Sequence, residues 1–272
     1  MASSPTVVLV TGGNAGIGYE ICKKLALEHP DTHHVLMGTR SLSKGSAAAK
    51  EMGSPKNLEP IQLDITDDSS IESCFQHISS QFGKLDILIN NAGSAGRDLP
   101  EADEMDAWRE RQSGADDGAK GAQSPEELKM LRNMFTHVYA TNDTGAALLT
   151  ERMVPLLFKS SLPKIIMISS GLGSIQDVLK GYPKPGGPPL PVPWYNSSKA
   201  AMNYLAAYYS QLYPKWKVNT CCPGLNATGL NGIPVSEELH PRNGAINAVK
   251  LALEGEDGVT GTYSNKEGPL PW

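Results

Sequence analysis

A short β-branched stretch near the start of the chain runs directly into a glycine-rich turn, and this junction constrains the fold more than any other feature. Thr6 to Val10 has the composition of a buried strand, Thr11-Gly12-Gly13-Asn14-Ala15-Gly16-Ile17-Gly18 follows it, and a helix is predicted from Ile17 to Glu28. Glycines there allow a tight turn, and the first amides of the helix can then face an anion. The junction predicts a dinucleotide-binding unit; a turn that serves packing alone is the alternative.

The same alternation of apolar strands and helical segments continues along the chain. Further strands are predicted at His34 to Gly38, Glu59 to Leu63, Leu85 to Ile89, Lys164 to Ser169, Lys217 to Cys221 and Thr260 to Tyr263. Further helices are predicted at Ser43 to Met52, Ser69 to Phe82, Asn142 to Phe158, Tyr195 to Leu212 and Asn243 to Leu253. Such alternation implies parallel strands joined by crossover helices. We predict an α/β fold, a Rossmann-type doubly wound parallel sheet with helices on both faces, formed by residues 1–272 as a single domain.

Composition and charge limit the class of protein. A chain of 272 residues that is 40% hydrophobic can bury one substantial core. Its formal net charge of −5 argues against nucleic-acid binding, and no apolar run approaches the ~20 residues that span a membrane. Met1 to Pro5 lacks the features of a secretory signal, so a cytoplasmic protein is expected. The four cysteines and six histidines lack metal-ligand spacing, so free thiols and no metal are predicted.

Two insertions interrupt the alternation, and both begin near the carboxyl ends of predicted strands, where open α/β sheets bind ligands. Residues 94–124 are polar, and their middle, Gln112 to Gln123, is expected to be mobile. Ser124-Pro125-Glu126-Glu127 has the pattern of a helix N-cap followed by proline, so a helix is predicted to resume there. Residues 171–194 include a proline-rich segment, 181–193, which predicts a stiff extended lid. We expect both insertions to border the substrate; surface excursions without a role are the alternative.

Tyr195 and Lys199 lie four residues apart in a predicted helix and therefore share one face. Hydride addition to a carbonyl creates an alkoxide that needs a proton, and a tyrosine with an unperturbed pKa of about 10 is too weak an acid alone. A nearby ammonium favours the phenolate and lowers the pKa of the tyrosine. The pair therefore predicts Tyr195 as a proton donor and Lys199 as the group that makes it more acidic.

The motifs resemble, in their order and over nearly the whole chain, those of the short-chain dehydrogenase/reductase family. The glycine turn has the spacing Gly-x3-Gly-x-Gly, Asn90-Asn91-Ala92-Gly93 follows the fourth predicted strand, and Ser169-Ser170 ends the next one. Within the family the chain is most similar to the carbonyl reductases, through Leu63-Asp64-Ile65, Cys221-Cys222-Pro223-Gly224 and the tail ending in Trp272. The resemblance implies an oxidoreductase that uses a nicotinamide coenzyme.

The resemblance implies a catalytic tetrad of Asn142, Ser170, Tyr195 and Lys199. In this assignment Ser170 hydrogen-bonds the substrate oxygen on which charge develops, and Lys199 also binds the nicotinamide ribose. Asn142 is expected to order a water in the proton path to Lys199. Ser170 is preferred to Ser169 because the family's serine is usually the second of the pair.

Arg40 follows the second predicted strand, where a guanidinium can pair with the 2′-phosphate of NADP and a carboxylate would bind the ribose of NAD. Lys44 adds a second cation, so NADP(H) is the predicted coenzyme, although relatives often carry a basic residue in place of Ala15. The remaining coenzyme contacts that the resemblance implies, besides Tyr195 and Lys199, are Gly12, Asn14, Gly16, Ile17, Gly18, Asp64, Ile65, Asn91, Ala92, Gly93, Pro223, Gly224, Asn226 and Thr228.

Two of these positions have a second interpretation. Asp64 resembles the family's adenine-contacting aspartate, and it can instead cap the helix after Thr66. Asn226 departs from the Ile or Val that the family usually has in the segment holding the nicotinamide amide, so that contact is less secure. Thr228 matches the family's hydroxyl position in the same segment.

These features predict an NADPH-dependent reductase that transfers hydride to the carbonyl of a bulky, largely apolar ketone or quinone, with Tyr195 as proton donor. The expected substrate contacts are Ser170, Leu172, Val192, Trp194 and Leu225. Ordinary packing is the alternative for Trp194. The alternative functions are secondary-alcohol oxidation or C=N reduction with NADP(H) and, in another class, a coenzyme-binding regulator or non-redox cyclase. A small-molecule partner and a monomer or homodimer are expected, with no nucleic acid and no membrane.

Overall fold

The structure, a computed structural model, describes residues 4–114, 118, 120–183 and 190–272. Its strands are β1 (Thr6–Val10), β2 (His33–Thr39), β3 (Leu58–Gln62), β4 (Ile87–Asn90), β5 (Lys164–Ile168), β6 (Lys217–Cys221), β7 (Thr262–Asn265) and β8 (Gly268–Pro269). They form one sheet in the order β3-β2-β1-β4-β5-β6-β7-β8. All neighbours pair in parallel except β8, which runs antiparallel to β7. The predicted doubly wound parallel sheet is confirmed, and β8 is an addition that no sequence pattern indicated.

Helices cover both faces of this sheet, as predicted. They are α1 (Gly16–Glu28), α2 (Leu42–Glu51), α3 (Asp68–Gln81), α4 (Ala102–Ser113), α5 (Pro125–Tyr139), α6 (Ala146–Leu157), α7 (Ile175–Leu179), α8 (Pro193–Leu212) and α9 (Pro241–Leu253). Successive residues of β1 serve opposite faces: Val7 and Leu9 join one apolar cluster, and Val8 and Val10 join the other. The first cluster includes residues of α3, α6 and α8, and the second includes residues of α1 and α9.

The helix predicted from Asn142 to Phe158 begins much earlier in the structure. Ser124 is the N-cap of α5, and its Oγ accepts a hydrogen bond from the Glu127 amide at 3.2 Å, which confirms the predicted helix start. From α5 the chain passes through a π-helical turn, Ala140–Gly145, directly into α6. A π turn widens the helix locally and often marks a functional position.

The prediction of a polar insertion with a mobile middle is partly wrong, because α4 occupies its first half. Gln112, at the start of the expected mobile range, lies in this helix, and residues 115–117 and 119 fall outside the described residues. The helix was missed because its sequence is strongly polar. Only Met105 and Trp108 of α4 are fully buried, one turn apart, in a third apolar cluster that includes Trp194.

The second insertion, 171–194, starts with regular structure ahead of the segment that was predicted to be extended, 181–193. A short 3-10 turn, Gly171–Gly173, leads into α7, and α8 begins at Pro193 rather than at Tyr195 because proline fits the first helical turn. Of the predicted lid, 181–193, residues 184–189 lie outside the described residues, 181–183 form a turn and Pro193 is the first residue of α8. Among the helices that are described, none has the length and apolar character needed to cross a membrane.

Candidate active site

The sheet order brings the predicted site residues to one edge. Because β1, β4, β5 and β6 are neighbours and parallel, the segments that follow their carboxyl ends meet there. These segments are the glycine turn after β1, Asn91–Gly93 after β4, Ser169–Ser170 after β5 and Pro223–Thr228 after β6. The π turn and α8 add Asn142, Tyr195 and Lys199. Ligands of open α/β sheets bind at this kind of edge.

The glycine turn is closed by backbone contacts that leave no room for a side chain. A Cβ on Gly18 would lie 2.4 Å from both the Gly12 carbonyl oxygen and the Asn91 Nδ2. The side-chain amide of Asn91 donates to the Thr11 carbonyl at 2.8 Å and so stabilises the turn. No side chain caps α1, because its N-cap is Ala15, and its first amides therefore stay available for an anion.

Two predicted phosphate-binding cations lie beside this turn. Arg40 directly follows β2 and is exposed, and Lys44 is exposed in the first turn of α2. The side chain of Ser41 caps this helix by accepting from the Lys44 amide at 3.4 Å. Among the ion pairs of the described residues, none involves Arg40 or Lys44. Both charges are therefore available to a ligand.

Asp64 does not cap α3. Its Oδ1 accepts from the Thr66 amide at 2.9 Å and from the Thr66 hydroxyl at 2.7 Å, whereas Asp67 is the N-cap and accepts from the Ser69 amide at 2.9 Å. The capping alternative for Asp64 is therefore wrong. Ile65 is buried, and its carbonyl oxygen would lie 2.6 Å from a Cβ on Gly145, so the π turn packs directly against it.

Ser170 and Tyr195 form the centre of the site. The Ser170 side chain lies close enough to the phenol to lower the pKa of Tyr195, but burial has the larger effect and raises that pKa to about 12. The neighbouring Ser169 is turned away, because its hydroxyl donates to the Lys199 carbonyl at 3.2 Å. The choice of Ser170 over Ser169 therefore agrees with the geometry.

Lys199 is buried, and it is not among the groups that dominate the pKa shift of Tyr195, so its role in making the phenol more acidic stays a prediction. Its Nζ donates to the Ile168 carbonyl at 2.8 Å and lies 5.8 Å from the centre of the Tyr195 ring. Burial lowers the pKa of Lys199 to about 8, while the nearby Cys222 acts in the opposite direction. The same desolvation that disfavours the phenolate of Tyr195 thus also disfavours the ammonium of Lys199.

Asn142 connects the segment after β4 to α8 through hydrogen bonds. Its Oδ1 accepts from the Ser94 amide at 2.7 Å, and its Nδ2 donates to the Ser94 carbonyl and to the Ser198 Oγ, each at 2.9 Å. A Cβ on Gly93 would lie 3.3 Å from Asn142 Oδ1 and 3.6 Å from Lys199 Nζ, so both groups border Gly93. The π turn brings Asn142 into this position. Its part in a water-mediated proton path stays a prediction.

Asn226 turns its side chain into the protein. The amide is buried, and its Nδ2 donates to the carbonyls of Pro223 at 2.9 Å and Gly224 at 3.1 Å. A Cβ on Gly244 of α9 would lie 2.8 Å from this Nδ2, so a glycine there makes room for it. Asparagine in place of Ile or Val therefore adds side-chain hydrogen bonds that stabilise the loop from within. Thr228 at the end of the loop faces Gly16 of the glycine turn.

The predicted substrate contacts divide into two groups. Leu225 is 65% exposed, and Leu172 is partly exposed in the turn after Ser170. Trp194 is fully buried; its indole Nε1 donates to the Ala95 carbonyl at 3.2 Å, and its ring lies 5.6 Å from that of Trp108. Val192 packs against the same third cluster. Trp194 therefore has the packing role that was the alternative to substrate contact.

Sequence reasoning missed Ser94 and Ser198, the hydrogen-bond partners of Asn142. Ser198 had a sequence signal, a small polar residue directly before Lys199, and Ser94 had one in its place after Gly93. It also missed Tyr182, whose ring covers Gly171 next to Ser170. Within the part of the chain that the structure describes, no group of three acidic, histidine or cysteine residues is arranged to hold a metal.

Comparison with known proteins assigns the family. The short chain dehydrogenase model matches residues 6–112. The short-chain dehydrogenase/reductase ATR10 of Stachybotrys chlorohalonatus is 32% identical, over 99% of this chain and 95% of its own length. The chain belongs to the short-chain dehydrogenase/reductase family. Membership makes it an oxidoreductase of a family that uses a nicotinamide coenzyme and acts on alcohol or carbonyl groups.

Other members of the family support both the sequence and the structural relationship. Salutaridine reductase of Papaver somniferum is 30% identical, over 94% of this chain and 92% of its own. Its solved structure superimposes with a TM-score of 0.73 at 29% identity and covers 95% of this chain and 99% of that one. An NADPH-bound carbonyl reductase from chicken fatty liver, at 24% identity and a TM-score of 0.72, covers 99% and 100% of the two chains and shares the fold.

Proposed function

We propose that this short-chain dehydrogenase/reductase is an NADPH-dependent reductase that transfers hydride to the carbonyl of a bulky, largely apolar ketone or quinone. The observation that carries the proposal is the proximity of the Ser170 side chain to the Tyr195 phenol at the ligand-binding edge of the sheet, with Lys199 on the same face of α8. A hydroxyl and a phenol that meet in this way suit a carbonyl oxygen that gains charge and then a proton.

Proton supply in the reducing direction fits the environment of Tyr195. Burial raises its pKa to about 12, so the phenol keeps its proton at neutral pH but is a weaker acid than a free tyrosine. An alkoxide is a stronger base than a phenolate and can still take this proton, provided that a nearby charge stabilises the phenolate. Burial lowers the pKa of Lys199 to about 8, and its ammonium is therefore still largely charged at neutral pH. That charge favours the phenolate once the proton has left. The coenzyme supplies the hydride when it is bound.

Preference for NADPH is supported by Arg40 and Lys44, two exposed cations with no ion-pair partner among the described residues. A guanidinium recognises a phosphate with two parallel hydrogen bonds, which a ribose hydroxyl cannot replace. The uncapped first amides of α1 would bind the pyrophosphate. We further propose a single-domain cytoplasmic protein that acts as a monomer or homodimer.

The substrate class is supported by exposed apolar side chains in the segments that follow β5 and β6. Leu179 is 82% exposed, and Ile175 and Leu225 are also largely exposed. Such side chains favour a ligand that covers them with apolar surface, because each covered Å² contributes about 25 cal/mol. A bulky ring system satisfies this requirement better than a small aliphatic ketone does.

The test is consumption of NADPH and of NADH by purified protein over a panel of quinones and bulky ketones, with two tyrosine variants of α8. Tyr195→Phe should lose activity by about 10²- to 10⁴-fold while NADPH binding, followed by protein fluorescence, is kept. Tyr204→Phe is the matched control, since Tyr204 lies on the same helix and is 71% exposed. Full activity in Tyr195→Phe would contradict Tyr195 as the proton donor, and NADPH binding without reduction of any ketone in the wild type would favour the regulator or cyclase alternative.

A further inference from the structure

Tyr182 lies against the residue that follows the catalytic serine. A Cβ on Gly171 would be 3.0 Å from the Tyr182 Oη and 3.1 Å from its Cζ. The phenol therefore occupies the space that a side chain at position 171 would need. The Gly171 amide donates to the Cys222 Sγ at 3.1 Å, which fixes the backbone under the ring. A glycine at position 171 therefore allows this phenol to approach Ser170.

The position of Tyr182 is set by a hydrogen-bonded segment. Its amide donates to the Asp177 carbonyl at 3.0 Å, in the turn that ends α7. Ser174 caps α7 by accepting from the Asp177 amide at 3.1 Å. The carbonyl oxygen of Trp272 accepts from the Ser174 hydroxyl at 3.3 Å and from the Gln176 amide at 3.1 Å. The phenol is thus presented by a fixed turn.

No described residue forms a hydrogen bond with the Tyr182 hydroxyl. The side chain as a whole is 38% exposed, and its hydroxyl end is the part that lies over Gly171. Burial raises the pKa of this phenol, and Cys222 and Asp177 act in the same direction. The group is therefore protonated throughout the neutral range and is a hydrogen-bond donor.

The Tyr182 phenol thus lies over Gly171, the residue next to Ser170. A single ligand that reaches the Ser170 hydroxyl can therefore also contact this phenol. A ligand whose second oxygen accepts from Tyr182 would be oriented in the site, because the two contacts fix both its position and its rotation.

We propose that Tyr182 is a specificity-determining residue that donates a hydrogen bond to a second oxygen of the substrate, close to the carbonyl that is reduced. The preferred substrates are then carbonyl compounds with a neighbouring oxygen: ortho-quinones, 1,2-diketones and ketones with an adjacent hydroxyl or alkoxy group. The inference rests on the proposed reductase function and narrows its substrate class. A ketone without the second oxygen leaves the phenol unpaired and loses the orienting contact.

The experiment compares paired ketones of the same ring system, one with and one without the adjacent oxygen, in the full-length protein. In the wild type the oxygenated ketone should be reduced with the higher kcat/KM. In Tyr182→Phe its kcat/KM should fall about tenfold, mainly through KM, because one hydrogen bond is lost. The plain ketone should change less than about twofold, and the Kd for NADPH, measured by fluorescence, should not change.

Gly171→Ala tests the same contact from the other side, because its methyl group would displace the Tyr182 ring. It should reproduce the selective loss. Gly255→Ala is the control, since a Cβ there meets nothing within 4 Å and the residue is exposed after α9. An equal loss with both ketones in Tyr182→Phe would indicate a structural role and overturn the inference, as would unchanged kinetics with both. If the wild type reduces neither ketone although NADPH binds, the proposed function itself fails and the assignment of Tyr182 falls with it.

Discussion

The region that we propose binds the coenzyme and the region that we propose binds the substrate are built in different ways. We call residues 6–93 the coenzyme region and residues 94–139 with 170–194 the substrate region. In the coenzyme region the glycine turn is held by main-chain contacts and by one amide, that of Asn91. In the substrate region, α4, α5 and the start of α8 are joined by a separate apolar cluster whose members are Met105, Trp108, Met130, Met134, Val138 and Trp194.

This difference explains why the structure of the coenzyme region can be predicted from the sequence and that of the substrate region cannot. Main-chain geometry such as that around Gly18 accepts one residue type, so the residue reveals the structure. Side-chain packing accepts many combinations of similar volume, so the third cluster leaves no fixed motif. The chemistry follows the same division, because exposed cations lie beside the glycine turn and exposed apolar residues such as Leu179 and Ile175 lie in the substrate region.

The largest effect is expected from Gly18→Ala in the coenzyme region. A methyl group would meet the Gly12 carbonyl and the Asn91 amide at 2.4 Å, and main chain cannot move aside cheaply. We expect a loss of about 3 kcal/mol or more in the free energy of unfolding, measured in urea, and no measurable NADPH binding. Gly255→Ala, in open space, should resemble the wild type in both measurements. A Gly18→Ala protein that binds NADPH normally would show that contacts elsewhere define the turn.

Trp108→Ala should affect the substrate region alone. Trp108 is buried in the third cluster, and its removal should lower the free energy of unfolding by about 3 kcal/mol. In the folded protein the KM for the ketone should rise while the Kd for NADPH stays within about twofold of the wild-type value. Leu128→Ala, on the exposed side of α5, is the control and should cost less than about 0.5 kcal/mol. Loss of NADPH affinity in Trp108→Ala would show that the two regions are coupled.

Arg40→Ala should change coenzyme choice and nothing in the substrate region. Because a charged hydrogen-bond partner of the 2′-phosphate is removed, the ratio of kcat/KM for NADPH to that for NADH should fall about 10- to 100-fold. The KM for the ketone should stay the same. Lys50→Ala, which removes an exposed cation at the other end of α2, should leave the ratio unchanged. An unchanged ratio in Arg40→Ala would show that Arg40 does not recognise the 2′-phosphate. Either Lys44 would then be the group that does, or the preference for NADPH would be wrong.

The sequence predicted the sheet, the glycine turn and the face shared by Tyr195 and Lys199, because each depends on local geometry. The resemblance was needed to choose Ser170 over Ser169, since two adjacent serines look alike in a sequence. Neither the sequence nor the resemblance could reveal the pKa values of Tyr195 and Lys199, because these depend on burial by residues distant in the chain. For the same reason α4 stayed unpredicted: its polar sequence is compatible with a helix only because Trp108 reaches a cluster assembled from three helices.

Lys199 lies where the two regions meet, and its titration should have opposite effects on activity and stability. Burial lowers its pKa from the ordinary value of 10.5 to about 8, whereas Tyr195 stays protonated up to about 12. Above pH 8 Lys199 loses its charge, so kcat/KM for ketone reduction should fall by up to about tenfold per pH unit. Between pH 8 and 10.5 the unfolded chain binds more protons at this lysine than the folded chain does. Its contribution to the free energy of unfolding therefore rises with pH across that window.

The two pH dependences are measured on the same protein, by ketone reduction between pH 6 and pH 10 and by urea denaturation over the same range. Lys199→Arg is the informative variant, because a guanidinium keeps its charge at every pH in this range. If the falling limb belongs to Lys199, the activity of this variant, however low, should not decline between pH 8 and pH 10. A decline of equal steepness in the variant would assign the limb to another group. The charge at position 199 would then be unnecessary for reduction, and the proton donor would have to act without it.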